Sequence, residues 1–244
     1  MESNTKSAWC WRIGLLIFVA FAPWLASALS RRPPVSFADN EAEAIVTLRE
    51  IAAAEAQVKA NAAIDTDGDG VGEYGYLAEL AGTQQKRVSQ QGVPAAGTQR
   101  EDFIRRPLLR PELGRISFST AVHDGYRFMT WLPQKAAGGQ VGAQREDPNG
   151  GKMAAPFPDP RTGSELWCCY AWPVSAGVTG QRAFFVNQEG IVLATDNDGA
   201  TPFSGVISYP DFGEALDHPR DMASGLRIGP PVGGANQTIW TKVW

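Results

Sequence analysis

Asp65, Asp67 and Asp69 stand at alternate positions in the stretch AIDTDGDGVGEYGY, followed by Gly70, Val71 and Glu73. Carboxylates spaced in this way around a tight turn begin a calcium loop of the Asp-x-Asp-x-Asp-Gly type. Calcium takes six to eight oxygens. The three Asp side chains, the Val71 carbonyl and Glu73, directly or through water, supply most of them. The glutamate usual at the twelfth place is replaced by Tyr76, and Glu79 lies further on, within reach if it swings in. Calcium is therefore the expected ligand, with Asp65, Asp67, Asp69, Val71 and Glu73 as the metal residues. The alternative for the same residues is an acidic turn that ends a helix and faces water.

Other reactive residue types give less. Asp196 and Asp198 form a smaller acidic turn, and Asp is a common turn former. There are two histidines, His123 and His218. His123-Asp124 has no Gly-x-Ser-x-Gly elbow beside it, and zinc would need more His or Cys at ligand spacing. No glycine-rich phosphate loop precedes a helix. Cys168 and Cys169 are adjacent, so on a strand they point to opposite faces and suit small core positions. No catalytic or cofactor-binding residue is predicted, and the chain reads as a non-enzyme. Trp131, Trp167, Trp172, Trp240 and Trp244 sit at strand spacing, where aromatics fill cores. Exposed, they would form a contact surface.

The elements that must position the acidic turn are legible in part. Ser36 caps a helix with Asp39 three residues on, and the helix runs to about Ala63. Ala44, Leu48, Ile51, Ala54, Val58 and Ala62 share one side at helical spacing. Glu55 falls on that apolar side, where an acid needs a partner or an opening to water. After Gly82 the chain reads as polar loop, with short helices around Tyr76 to Ala81 and near Phe103. Strands are predicted over Gly125 to Leu132, Leu166 to Pro173, Arg182 to Asn187 and Ile191 to Thr195, with a turn at Gln188-Glu189-Gly190. The stretch from Pro133 to Ser164 reads as a surface excursion, and Thr238 to Trp244 as a final strand. One long helix followed by an antiparallel sheet is an α+β arrangement.

Ahead of this domain, Lys6 and Arg12 precede the apolar run Ile13 to Leu29, which ends near Ala26-Ser27-Ala28. That is the layout of a secretory signal peptide, cleaved after Ala28, with a signal anchor as the alternative. The boundaries are thus 1–28 for the signal and 36–244 for the domain. The protein is expected to be exported, to the periplasm, cell envelope or outside the cell, with membrane contact only if the signal stays. A formal net charge of −4 lacks the basic face that a nucleic-acid partner requires.

Three segments resemble type IV pilin-like and pseudopilin-like bacterial secreted proteins: the helix and turn from Asp39 to Leu80, HDGYRFMTWLP from His123 to Pro133, and CYAWPVSAGVTGQRAFFVNQEGIVLATDN from Cys169 to Asn197. The Gly-Phe-Thr-Leu-x-Glu prepilin site has no counterpart. The resemblance implies a long N-terminal helix packed on an antiparallel β-sheet, pilin-like, with loop insertions. It also implies a non-enzymatic structural or accessory role in the cell envelope or a secretion- or pilus-like system, with envelope proteins as partners. The alternative function is a secreted, calcium-stabilised ligand-binding module.

Overall fold

Ser36 opens the first helix, α1 (Phe37–Ala60). Its hydroxyl accepts the Asp39 N–H, and the Asp39 carboxylate accepts the Ser36 N–H, each at 3.2 Å. This reciprocal cap satisfies donors that a helix start leaves open. The computed structural model describes residues 36–229 and 238–244. The apolar run and its cleavage site lie outside them. Among the described residues, no helix is long and apolar enough to cross a membrane.

Ala44, Leu48, Ile51, Ala54 and Val58 of α1 are buried, at the spacing of one helical face. They pack on Tyr126, Phe128, Cys169, Ala171, Phe184 and Val186. Polar clamps hold the N-terminal end of α1. Asn40 Nδ2 donates to the Thr179 carbonyl at 2.7 Å. Glu41 accepts the N–H groups of Gln181 and Arg182 and pairs with Arg182 Nε at 2.8 Å. The helix stops at Asn61, earlier than Ala63, because the chain turns through Ala62 at a φ of 44°. The last part of the acidic turn then passes close against its end. A Cβ on Gly72 would lie 2.0 Å from the Lys59 carbonyl oxygen, so only glycine fits there.

The remaining elements are β1 (Arg87–Gln90) and β2 (Val93–Ala96), which form a hairpin of their own, the short helices α2 (Leu77–Leu80) and α3 (Pro160–Gly163), and seven strands of one antiparallel sheet. Those strands are β3 (Ala121–His123), β4 (Tyr126–Pro133), β5 (Ala143–Arg145), β6 (Cys168–Pro173), β7 (Ala183–Asn187), β8 (Leu193–Thr195) and β9 (Thr241–Lys242). The order is β3-β4-β6-β7-β8-β9, with β5 also paired to β4. Tyr126 to Trp131 of β4 lie opposite Pro173 to Cys168 of β6.

The fold expected from the sequence, an α+β pilin-like domain of one long helix on an antiparallel sheet with loop insertions, is corrected by this topology. The chain is sheet-rich: α1 is the single long helix among the described residues, and the sheet has seven strands rather than being a small platform for it. Every residue of β6, β7 and β8 is buried, so both sheet faces need a cover. The helix covers only one. On the other face, Met129, Trp131, Cys168, Tyr170, Trp172, Phe185 and Leu193 pack against Ala215, Leu216, Met222 and Trp240 from the irregular C-terminal region. Stretches read as loop also contribute strands. The polar stretch after Gly82 holds the β1–β2 hairpin, and the excursion after Pro133 holds β5.

Leu48 is fully buried, whereas Val46, two residues earlier on the opposite side of the helix, is 43% exposed. Leu48→Ala should lower stability by about 2–5 kcal/mol, the cost of a buried leucine truncation. Val46→Ala should cost no more than about 0.5 kcal/mol. Urea denaturation of both variants checks the difference.

Candidate functional site

The acidic turn follows directly from the way α1 ends. Ile64 is buried, and its carbonyl accepts the Glu73 N–H at 2.8 Å, closing residues 65–72 into a loop. Asp65 Oδ1 accepts the Gly68 N–H at 2.7 Å and Oδ2 accepts the Gly70 N–H at 3.0 Å. Gly70 has a φ of 85°, a conformation in which a side chain is strained. Asp67 Oδ1 accepts the Asp69 N–H, and Asp69 Oδ1 accepts the Val71 N–H. Asp65, Asp67 and Glu73 each offer a carboxylate oxygen within 4.8 Å of the others. Asp69 and Val71 lie in the same turn but outside that group of three carboxylates.

Glu73 differs from its neighbours in being 1% exposed. Its Oε1 accepts both the N–H and the hydroxyl of Thr66, each at 2.6 Å. Its Oε2 has no hydrogen-bond donor; the nearest cationic group is Arg87 Nη1 at 3.6 Å. Burial raises the Glu73 pKa, the Arg87 charge pulls it back, and the Asp67 charge adds to the rise.

Behind Glu73 lies a polar layer inside the core. Arg87, fully buried at the start of β1, donates from Nε to Glu79 Oε1 at 3.0 Å and from Nη2 to the Tyr74 carbonyl at 2.6 Å. Its backbone N–H also donates to Glu79 Oε1 at 2.8 Å. Glu79 Oε2 accepts the Tyr76 N–H at the start of α2. The guanidinium stacks 5.3 Å from the centre of the Tyr76 ring. Burial opposes the Arg87 charge, but the Glu79 and Glu73 carboxylates outweigh it and hold its pKa up.

Two further acids close the layer. Glu55 Oε2 accepts the Gly75 N–H at 2.8 Å, and Glu146 Oε2 accepts the Gly151 and Ala78 N–H groups. The other oxygen of each has no hydrogen-bond partner. Burial lifts the pKa of Glu55 well above the usual range and pushes that of Glu146 up to about 8. Glu55 therefore meets the turn inside the protein and does not reach water. Glu79, which the sequence offered as a twelfth-place ligand, is committed to Arg87.

Sequence reasoning missed Arg87, Glu79 and Glu146 as partners. The signal for Glu79 was its place three residues after Tyr76 at a helix start. That for Arg87 was the pair of short runs flanking Gln91-Gly92, a hairpin pattern.

The other singled-out residues fall into structural places. His123 Nε2 lies 2.8 Å from Arg110 Nη1, which also carries Glu50 on Nη2 at 2.7 Å. Glu43, His123 and Asp124 lie close enough to share a cation, but the Arg110 guanidinium already supplies positive charge beside His123 and Glu43. Cys169 faces the helix side of the sheet and Cys168 the other, both buried. Burial pushes the Cys169 thiol up to about 12 and raises that of Cys168. Trp131, Trp167, Trp172 and Trp240 are buried, in agreement with the core reading; Trp244 is exposed. Asp196 and Asp198 flank Asn197, whose side chain bonds Gln181 and Phe203.

The arrangement thus gathers three carboxylates at the turn, while the inside is a buried polar layer built around Arg87. No protein family, curated protein or solved structure matches this chain.

Because the folded state holds a proton on Glu146 up to a pH of about 8, against an ordinary value of 4.5, its contribution to stability is full below 4.5. That contribution is lost as pH rises toward 8. Glu146→Gln removes this titration and keeps an acceptor for Gly151. The variant should gain stability relative to wild type between pH 5 and pH 8, read from urea denaturation at both.

Proposed function

We propose that this protein is a non-enzymatic structural or accessory module that works outside the cytoplasm, in the cell envelope or as part of a secretion- or pilus-like system. The observation that carries the reading is how its chemistry-bearing side chains are spent. Glu41 and Arg182 clamp α1 to the start of β7, Arg110 joins Glu50 of α1 to His123 of β3, and Arg87 joins β1 to α2. Tyr126 and Tyr170 give their hydroxyls to backbone carbonyls of Arg182 and Phe212. Each of these groups ties one element to another, which is the work of a rigid scaffold. The basic, apolar, small-residue start of the chain supports an exported location. The resemblance of its three segments to pilin-like secreted proteins supports the envelope role, although the sheet-rich topology removes fold as an argument for filament assembly.

Proximity labelling in the native cell, with fractionation, tests the proposal. The protein should be recovered outside the cytoplasm, with envelope or secretion-system proteins as its most enriched neighbours. A cytoplasmic protein, or turnover of a substrate that His123→Ala abolishes while the fold stays intact, would contradict it.

A further inference from the structure

Arg110 stands where three elements meet. Leu108 and Leu109, just before it, donate their N–H groups to the Leu80 carbonyl of α2. Its Nη2 donates to both carboxylate oxygens of Glu50 on α1, each at 2.7 Å. Its Nη1 lies 2.8 Å from Nε2 of His123, the last residue of β3. A guanidinium carries five N–H donors and no acceptor. Nε2 is therefore the acceptor, and an imidazole nitrogen accepts only when it carries no proton. The partner thus fixes the form of the ring: neutral, with its proton on Nδ1.

The same Nε2 faces carboxylates. Asp124 Oδ2 is 3.2 Å away and Glu43 Oε1, on α1, is 3.7 Å away. Asp124 and Gly125, with φ of 41° and 78°, form the two-residue turn between β3 and β4 that holds Asp124 beside the ring. Glu43 also lies 3.6 Å from Arg110 Nη1, so guanidinium and ring compete for it. Tyr126, opposite His123 on β4, gives its hydroxyl to the Arg182 carbonyl, and Arg127 gives Nη1 to the Thr120 hydroxyl. The ring thus meets Glu43 and Asp124 directly, and Glu50 only through Arg110. β3 is an edge strand of three residues, so few bonds hold its end.

We propose that these residues form an acid-sensitive latch, in which protonation of His123 moves the end of β3 from Arg110 to the carboxylates of Glu43 and Asp124. A histidine ring takes up its second proton between about pH 5 and pH 8. A proton on Nε2 turns that atom from acceptor to donor. The bond from Arg110 is then lost, because two cationic donors face each other, and the two carboxylates are the acceptors in reach. Three carboxylates, Glu43, Glu50 and Asp124, outnumber the one guanidinium around the ring, which favours the exchange. Arg110 keeps Glu50 throughout. At neutral pH β3 is fastened to the segment that carries Arg110, and in acid it is fastened to α1 through Glu43. The latch does not depend on the envelope role. Its test reads protonation in the purified chain and not location, so the two proposals fail separately.

Nitrogen NMR of the full-length chain, isotopically labelled at histidine, provides that test. The chain has two histidines, His123 and His218, so His218→Asn assigns the signals. Near pH 8 the His123 ring should carry its proton on Nδ1 and none on Nε2; near pH 5 both nitrogens should be protonated. Melting temperatures give a second readout. Arg110→Gln, His123→Asn and the pair should be non-additive by about 1–3 °C near pH 8, and that coupling should vanish or change sign near pH 5. Glu43→Gln together with Asp124→Asn, cycled against His123→Asn, should couple near pH 5 and not near pH 8. A proton on Nε2 near pH 8, a His123 ring still neutral near pH 5, or an Arg110–His123 coupling equal at the two pH values would each overturn the proposal.

Discussion

Arg87 is the one cation inside a layer that also buries Glu55, Glu73, Glu79 and Glu146. An ionised carboxylate without a partner is expensive in a protein interior, and breaking a buried ion pair costs about 3–5 kcal/mol. The chain meets this constraint by unequal means. Glu79 receives the guanidinium and two backbone N–H groups. Glu55 and Glu146 receive backbone N–H groups, and burial moves both toward the protonated state. Glu73 accepts from Thr66 of the acidic turn through Oε1 and pairs with Arg87 at 3.6 Å through Oε2. The course of the chain from the end of α1 through α2 to β1 follows from where these partners must stand. The Tyr74 carbonyl and the Tyr76 ring complete the cage around Arg87.

The sheet imposes the second constraint. Buried strands with apolar residues on both faces cannot stay in solution with a helix on one side alone. The irregular segment after Thr195 therefore serves as a second cover rather than as decoration. Trp240 illustrates this. It lies fully buried against Tyr170 and Phe185, at ring-centre distances of 5.9 Å and 6.3 Å. Trp172 donates its indole N–H to the Gly205 carbonyl across the same face. Polar handles on large aromatics fasten an irregular layer that has few ladder hydrogen bonds of its own.

Local signals were legible where one interaction sufficed. Ser36 and Asp39 announced the start of α1. The alternation in Tyr126 to Trp131 assigned each side chain to the face it occupies, because a strand has a period of two. Adjacent Cys168 and Cys169 fell on opposite faces for the same reason. The fold class was misjudged because the covering residues Ala215, Leu216, Met222 and Trp240 follow no periodic pattern, and the strand β5 is too short to announce itself. Of the candidate site, Asp65, Asp67 and Glu73 were found from spacing and do converge. The layer behind them was not, because Arg87, Glu79 and Glu146 lie far enough apart in sequence that only the tertiary structure brings them together. Glu55 was noticed on the apolar face of α1, yet its partner, the Gly75 N–H, belongs to a backbone whose path no pattern gives.

The dependence of this region on one buried guanidinium is tested most directly by a double-mutant cycle between Arg87 and Glu79, using Arg87→Met, Glu79→Gln and the pair, with stability from urea denaturation. The paired variant should be less destabilised than the sum of the singles, with a coupling of about 2 kcal/mol or more, because each single leaves the other partner buried without compensation. Additivity within about 0.5 kcal/mol would contradict the account.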